Sequence, residues 1–139
     1  MIISDRSRKI WYLSRSYPGK EHDYALLQGE FNPSQDWFTS FDIRLDLGFQ
    51  GFADLYPCHK LYIPHKRKRV KKGQRNDLNQ VQKDDNKEQA GHRIWVEHSI
   101  GGMKRYLILV HRMRIKNRII INQALGVCAG LWNFHLITN

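Results

Sequence analysis

From His98 to Asn139 the chain carries no Asp or Glu, and this stretch runs into IIINQALGVCAGLWNFHLI, residues 119–137. A segment so apolar needs cover, so it is expected as a buried helix that closes the fold. No apolar run reaches the length needed to span a membrane. Ahead of it stand Lys104, Arg105, Arg112, Arg114, Lys116 and Arg118, whose charges suit a phosphate-binding face. The same bias holds for the whole chain, with 23 Lys and Arg against 13 Asp and Glu and a net charge of +10. That balance favours a polyanionic partner. Nucleic acid comes first, because neutralising phosphates releases counterions. An anionic membrane surface is the competing class, and charge alone does not separate the two.

The 139 residues suffice for one domain with a modest core, and the 41% apolar fraction argues for a folded protein. Cys58 and Cys128 are the only cysteines. They make no zinc pattern, and a reduced cytoplasmic protein is the simplest expectation. The start, MIISDRSRKI, lacks the apolar core of a leader segment.

KIWYLSRSYPG reads as a strand stopped by Pro18 and Gly19. KEHDYALLQGEF reads as a short helix with Tyr24, Leu27 and Ala25 inward and Gly29 at its end. FTSFDIRLDLGFQGF reads as a strand entering a glycine-marked loop, and LYIPH as another short strand. Lys60 to Arg75 holds eight basic side chains and no acid, either a solvated loop or a phosphate-tracking run. The following residues up to Val110 are mostly helical in character. Val96, Met103 and Leu107 supply an apolar stripe, and Arg93, Glu97, Ile100 and Lys104 the opposite face. Gly101 is the expected point of close backbone approach.

Two acids carry the chemical question. Asp46 follows a strand and precedes Leu-Gly, so it is either a turn cap or a ligand held at a strand end. Glu97 is either half of an i,i+4 pair with Arg93 or a metal-binding carboxylate on a long helix. His22 and Asp23 form an adjacent pair, for which capping of the helix at YALL is the structural alternative. No elbow serine and no phosphate-binding glycine loop is present, which disfavours a hydrolase triad or an ATPase.

Four ordered segments, SYPGKEHDYALL, LDLGFQG, HRIWVEHSIGGMKRY and GVCAGLWNFHLI, span nearly the whole chain. Together they resemble the C-terminal part of a bacterial insertion-sequence transposase of the DDE superfamily, in the group with a DDE type 4 endonuclease domain. The resemblance implies an α/β, ribonuclease-H-like fold with a mixed sheet flanked by helices. It makes residues 1–139 a partial catalytic domain of a family whose intact members cleave and join DNA phosphodiesters with Mg²⁺ or Mn²⁺, and this chain is expected to be inactive without the first acid. Asp46 then matches the second metal-binding acid and Glu97 the third. Arg93, Glu97 and Lys104 keep the family's helix signature, with Ala90 where a tyrosine would stand. His22 and Asp23 match a His–Asp pair that supports the site rather than ligating metal.

The family's first acid lies on a strand with no counterpart here, so the chain is expected to be incomplete at its N-terminus. It reads as a truncated or frame-split product whose partners are transposon-end DNA and a separately encoded N-terminal half. The sheet is expected to expose unpaired edges, and metal binding to be weak. Asp5 is read as a turn acid between neighbouring strands. DNA contacts are assigned to Lys66, Arg67, Lys68, Arg69, Lys71, Lys72, Arg93, Lys104 and Arg105. The alternative is a non-catalytic, basic nucleic-acid-binding or regulatory fragment.

Overall fold

The computed structural model describes residues 1–67, 77–111 and 114–138. They form two compact units, one of residues 1–20 with 93–139 and the other of residues 21–92.

The first unit opens with strands β1 (Ile2–Ser4) and β2 (Ile10–Leu13), paired antiparallel. β2 is the strand expected from its β-branched and aromatic run before Pro18-Gly19. Ile3 faces Tyr12 and Ser4 faces Ile10, so Trp11 is the extra residue of a β-bulge. The turn closes with the Asp5 N–H donating to the Lys9 carbonyl and the Arg8 N–H to the Asp5 carbonyl. Asp5 is the expected turn acid.

Burial draws the Asp5 pKa upward, but hydrogen bonds from Ser7, the Trp11 indole and the backbone N–H groups of Lys9 and Ser7 outweigh it. Its carboxyl therefore titrates below the ordinary 3.8. The sign follows from a depressed folded-state pKa. The stabilisation is complete above 3.8 and is lost as pH falls through the lower folded value. Asp5→Asn is expected to melt below the wild type at neutral pH and to converge with it in acid. Melting curves that stay parallel down to about pH 2 would contradict this.

Two helices complete this unit's core, the C-terminal part of α3 (Gln80–Lys104) and α4 (Arg118–Thr138). Ile10, Met103, Cys128, Ala129 and Trp132 are buried together, with Ile2, Leu13, Tyr106, Leu109, Leu125 and Leu136 partly buried around them. The expected α3 stripe is shifted. Ser99, Gly102 and Met103 are its buried residues, Val96 is half-buried, and Leu107 is exposed in a separate 3-10 turn, Leu107–Leu109. Gly102, not Gly101, makes the close approach. A Cβ on Gly102 would overlap the Trp132 ring, whereas one on Gly101 would meet nothing.

α4 also differs from the expected buried closing helix. It buries Cys128, Ala129 and Trp132 on one face, while Val127, Leu131, Phe134 and Ile137 are exposed. It is long and apolar enough, by length and composition only, to cross a membrane, so the expectation that no apolar run is so is corrected. Length and composition are its only membrane-like features. The buried face packs on Ile10 and Met103, and its polar residues bond inward: the Asn133 side chain exchanges two 2.8 Å hydrogen bonds with the Ile10 backbone.

The second unit is built on aromatic packing. Phe31, Phe38, Phe52 and Tyr56 are buried, and the Tyr56 hydroxyl donates to the Phe31 carbonyl at 2.6 Å. Helix α1 (Asp23–Glu30) buries Leu26 and Leu27. Ala25 is exposed rather than inward, and Gly29 lies inside the helix. Strands β3 (Asp42–Arg44) and β4 (Lys60–Tyr62) pair in parallel, Ile43 opposite Leu61. The short helix α2 (Phe52–Leu55) lies in the crossover that parallel pairing demands. The N-terminal part of α3 joins this unit through Arg44, whose guanidinium lies 3.9 Å from the Tyr62 ring centroid and donates to Gln89.

The fold is therefore α/β, with helices and two small two-stranded sheets. The single mixed sheet expected from the resemblance is not formed among the described residues. The antiparallel and parallel pairs are separate ladders of three or four residues per strand.

Candidate active site

Asp46 lies just beyond the carboxyl end of β3. The strand's last ladder bond beyond it is the Leu45 N–H to the Tyr62 carbonyl, and the chain then turns through Leu47–Phe49. Asp46 caps that turn, accepting the Gly48 N–H on Oδ1 at 2.7 Å. Its local sequence suits the geometry, since an Asp side chain readily accepts from the backbone N–H two residues on. A Cβ at Gly48 would stand 2.9 Å from Asp46 Oδ1. Both roles weighed for this residue are compatible here. Oδ1 is used in the cap, and Oδ2 has no partner among the described residues.

The loop continues into Gly51, whose φ of +91° suits glycine. The Tyr24 hydroxyl donates to the Gly51 carbonyl at 2.8 Å, and Phe52 enters the aromatic core directly after. Asp46 thus sits on a loop tied down at both ends. His22 occupies the cap position of α1 without a side-chain capping bond, and Asp23 is the first helical residue rather than the cap. Both are exposed.

Arg93, Glu97 and Lys104 fall on one exposed face of α3, opposite the buried Ser99 and Gly102. Arg93 Nη2 lies 3.6 Å from Glu97 Oε1, each side chain 58% exposed. This is the i,i+4 pair anticipated from spacing, worth about 0.3–0.5 kcal/mol at such exposure. Arg105 is committed differently. Its guanidinium lies 5.4 Å from the Trp132 ring centroid and 3.1 Å from His135 Nε2.

Of the basic run, Lys66 and Arg67 are exposed, with Arg67 Nη1 3.4 Å from Asp77 Oδ1. Lys68, Arg69, Lys71 and Lys72 lie outside the described residues. The root of the run is held in a way no local pattern announced. The His65 N–H donates to Asn86 Oδ1 at 2.7 Å, and Asn86 Nδ2 donates back to the His65 carbonyl at 3.0 Å. His65 Nε2 meets Asp85 Oδ2 at 3.1 Å. These partners are about 20 residues apart in sequence, so only the fold pairs them.

The exposed His59–Asp42 contact of 2.7 Å was likewise not legible in the sequence. The His59 hydrogen bond holds the Asp42 carboxyl below its ordinary range. Cys58 and Cys128 are free, and burial raises both thiol pKa values, which disfavours the reactive thiolate.

Metal binding needs hard oxygen donors, and a carboxylate with an open oxygen on a braced loop has that chemistry. Among the described residues, no group of three or more His, Cys, Asp or Glu side chains is placed to hold a metal ion. Asp46 fits as a single donor, and Glu97 would have to exchange its Arg93 contact for the ion.

No curated protein and no solved structure matches the chain. A family model described as DDE superfamily endonuclease matches residues 1–133. That match takes in both acid-bearing segments and the helix carrying Arg93 and Lys104, and the chain belongs to the DDE superfamily endonuclease family.

Proposed function

We propose that residues 1–139 form a partial transposase catalytic domain of ribonuclease-H-like design, acting in the cytoplasm on transposon-end DNA. The observation that carries this reading is Asp46 at the end of β3, capped through one oxygen and open at the other. A mixed sheet needs antiparallel and parallel pairing, and the described residues include a pair of each kind. Asp46 and Glu97 are the acids that would hold Mg²⁺ or Mn²⁺. When bound, the metal activates the attacking oxygen and stabilises the leaving one in phosphodiester cleavage and strand transfer. Arg93, with Lys104, Arg105 and the basic run Lys66 to Lys72, positions the phosphate backbone.

Two carboxylates, Asp46 and Glu97, are a small oxygen set for Mg²⁺, so residues 1–139 by themselves are expected to bind DNA through charge and metal only weakly. Purified chain with Mg²⁺ and inverted-repeat DNA is expected to give no cleavage or joining. Activity that disappeared in Asp46→Asn would overturn the inactivity and establish the site in one step.

The phosphate role has its own test. Arg93→Gln is expected to reduce the slope of log K against log salt by about 1 on duplex DNA. An unchanged slope would remove Arg93 from the DNA face.

A second reading, a non-catalytic nucleic-acid-binding or regulatory fragment, is favoured by the Arg93–Glu97 pair, which gives Glu97 a purely structural role. The readings part on metal. If Asp46 and Glu97 are ligands, Mn²⁺ binding followed by electron paramagnetic resonance weakens in Asp46→Asn and in Glu97→Gln. If they are structural, both variants bind Mn²⁺ as the wild type does.

A further inference from the structure

We propose that the β1–β2 turn, with Trp11 at its bulge, is a second nucleic-acid contact that takes an unpaired base of a single strand against the Trp11 indole while Arg6, Arg8 and Lys9 engage its phosphates. This surface lies wholly within the first unit and uses none of the residues assigned to metal.

The bulge explains why Trp11 is available. As the extra residue of β2 it turns out of the ladder, and it is 65% exposed while its neighbour Ile10 is buried. The indole N–H serves the turn through Asp5, but exposing the ring forfeits its burial, which that one hydrogen bond does not require of so large an apolar group. The ring is nevertheless held in place. Its Nε1 donates to Asp5 Oδ2 at 2.8 Å, and Lys9 Nζ lies 4.1 Å from its centroid.

None of the three cations is held by an acid, and the rings under Lys9 and Arg6 leave their charge uncompensated. Asp5, the acid of the turn, accepts Ser7 and the Lys9 N–H on Oδ1 and Trp11 on Oδ2. Among the described residues no ion pair involves Arg6, Arg8 or Lys9. Arg6 lies over Trp95, its Cζ 5.5 Å from the ring centroid, which places a second aromatic beside the turn.

The backbone of the turn is fixed from below. Arg8 has φ +69°, the one non-glycine residue with positive φ among those described. Its carbonyl accepts both the Ser99 hydroxyl and the Trp132 indole N–H, each at 2.9 Å. Glycine or asparagine would occupy that conformation at lower cost, and an arginine there keeps a guanidinium where strain opposes it.

A pre-organised indole among unpaired cations selects single strands. Every unpaired base offers a π-face to stack, whereas a base inside a duplex already has both faces covered. Aromatic stacking of one base is worth about 1–3 kcal/mol, which is about 5- to 150-fold in affinity.

The experiment is fluorescence anisotropy with the full chain in chelator-containing buffer, using labelled oligothymidylate, its duplex with oligoadenylate, and an abasic strand of equal length. Trp11→Thr, which keeps a β-former at the bulge, is expected to lose about 5- to 150-fold on oligothymidylate and less than about twofold on the duplex. Trp11→Phe should retain most of the affinity. The abasic strand should bind the wild type as weakly as oligothymidylate binds Trp11→Thr. Equal wild-type affinity for the abasic and thymidylate strands overturns the proposal whether or not any variant folds. So does an equal loss on single strand and duplex in Trp11→Thr, which would reduce the turn to a charged patch. Because metal is absent, failure here leaves the Asp46 and Glu97 assignment untouched, and failure of that assignment leaves this result standing.

Discussion

Replacing Trp132 by alanine is expected to destabilise the protein by about 3–5 kcal/mol, read as a shift in urea midpoint at unchanged m-value. The ring is 4% exposed and sits over Gly102, its Nε1 donating to the Arg8 carbonyl at 2.9 Å. Truncation leaves a cavity in a small core and removes one of the two hydrogen bonds holding the left-handed Arg8. Gly102→Ala attacks the same contact from the other side. Its methyl would overlap the ring, and overpacking of this kind costs about 1–3 kcal/mol or more. The two effects cannot be independent, because the methyl has room once the indole is gone. The double variant is therefore expected to be more stable than the sum of the single losses by about 1 kcal/mol or more. Strict additivity would mean that α3 and α4 do not meet at this pair.

In the second unit, Phe52→Ala is expected to cost about 3–5 kcal/mol as well. Phe52 is 1% exposed, stacked on Tyr56 with ring centroids 5.0 Å apart and packed 5.5 Å from Phe38. Its consequences should reach the candidate site. Gly51, immediately before it, is bonded to Tyr24 and ends the loop that begins with Asp46. Loosening Phe52 releases one of the two ties on that loop, so the Gly48 amide, bonded to Asp46 Oδ1, should exchange faster than in the wild type. Phe52→Leu, which keeps most of the volume, should cost about 1–2 kcal/mol and leave that amide protected. Rapid Gly48 exchange in the wild type itself would show that the loop is not braced as described.

What was legible in the residues and what was not divides along sequence distance. The strand at Ile10–Leu13 is marked by its own β-forming run and by Pro18-Gly19. The cap at Asp46 is marked by the glycine two residues later. The shared face of Arg93, Glu97 and Lys104 follows from helical spacing alone. Each of these is set by neighbours within one or two turns of chain, where covalent geometry and side-chain reach leave few options. The family segments were legible for a different reason, since they were read as a set in order, and the match over residues 1–133 agrees with them.

The rest required partners far along the chain. Periodicity states which α3 residues share a face but not which face finds a core, and a step of one residue turns the helix by about 100°. Close approach therefore falls at Gly102 and not at Gly101, because Trp132 arrives on that side. The apolar C-terminal segment forms its helix but covers only one face, since Ile10 and Met103 offer a surface to Cys128, Ala129 and Trp132 alone. The two separate strand pairs, the His65–Asn86 clamp and the outward turn of Trp11 are likewise products of pairing across the fold. By itself, then, the sequence determined the local elements and the family. Tertiary structure decided which surfaces are covered and which side chains are left to act, because burial and register depend on contacts that no local stretch contains.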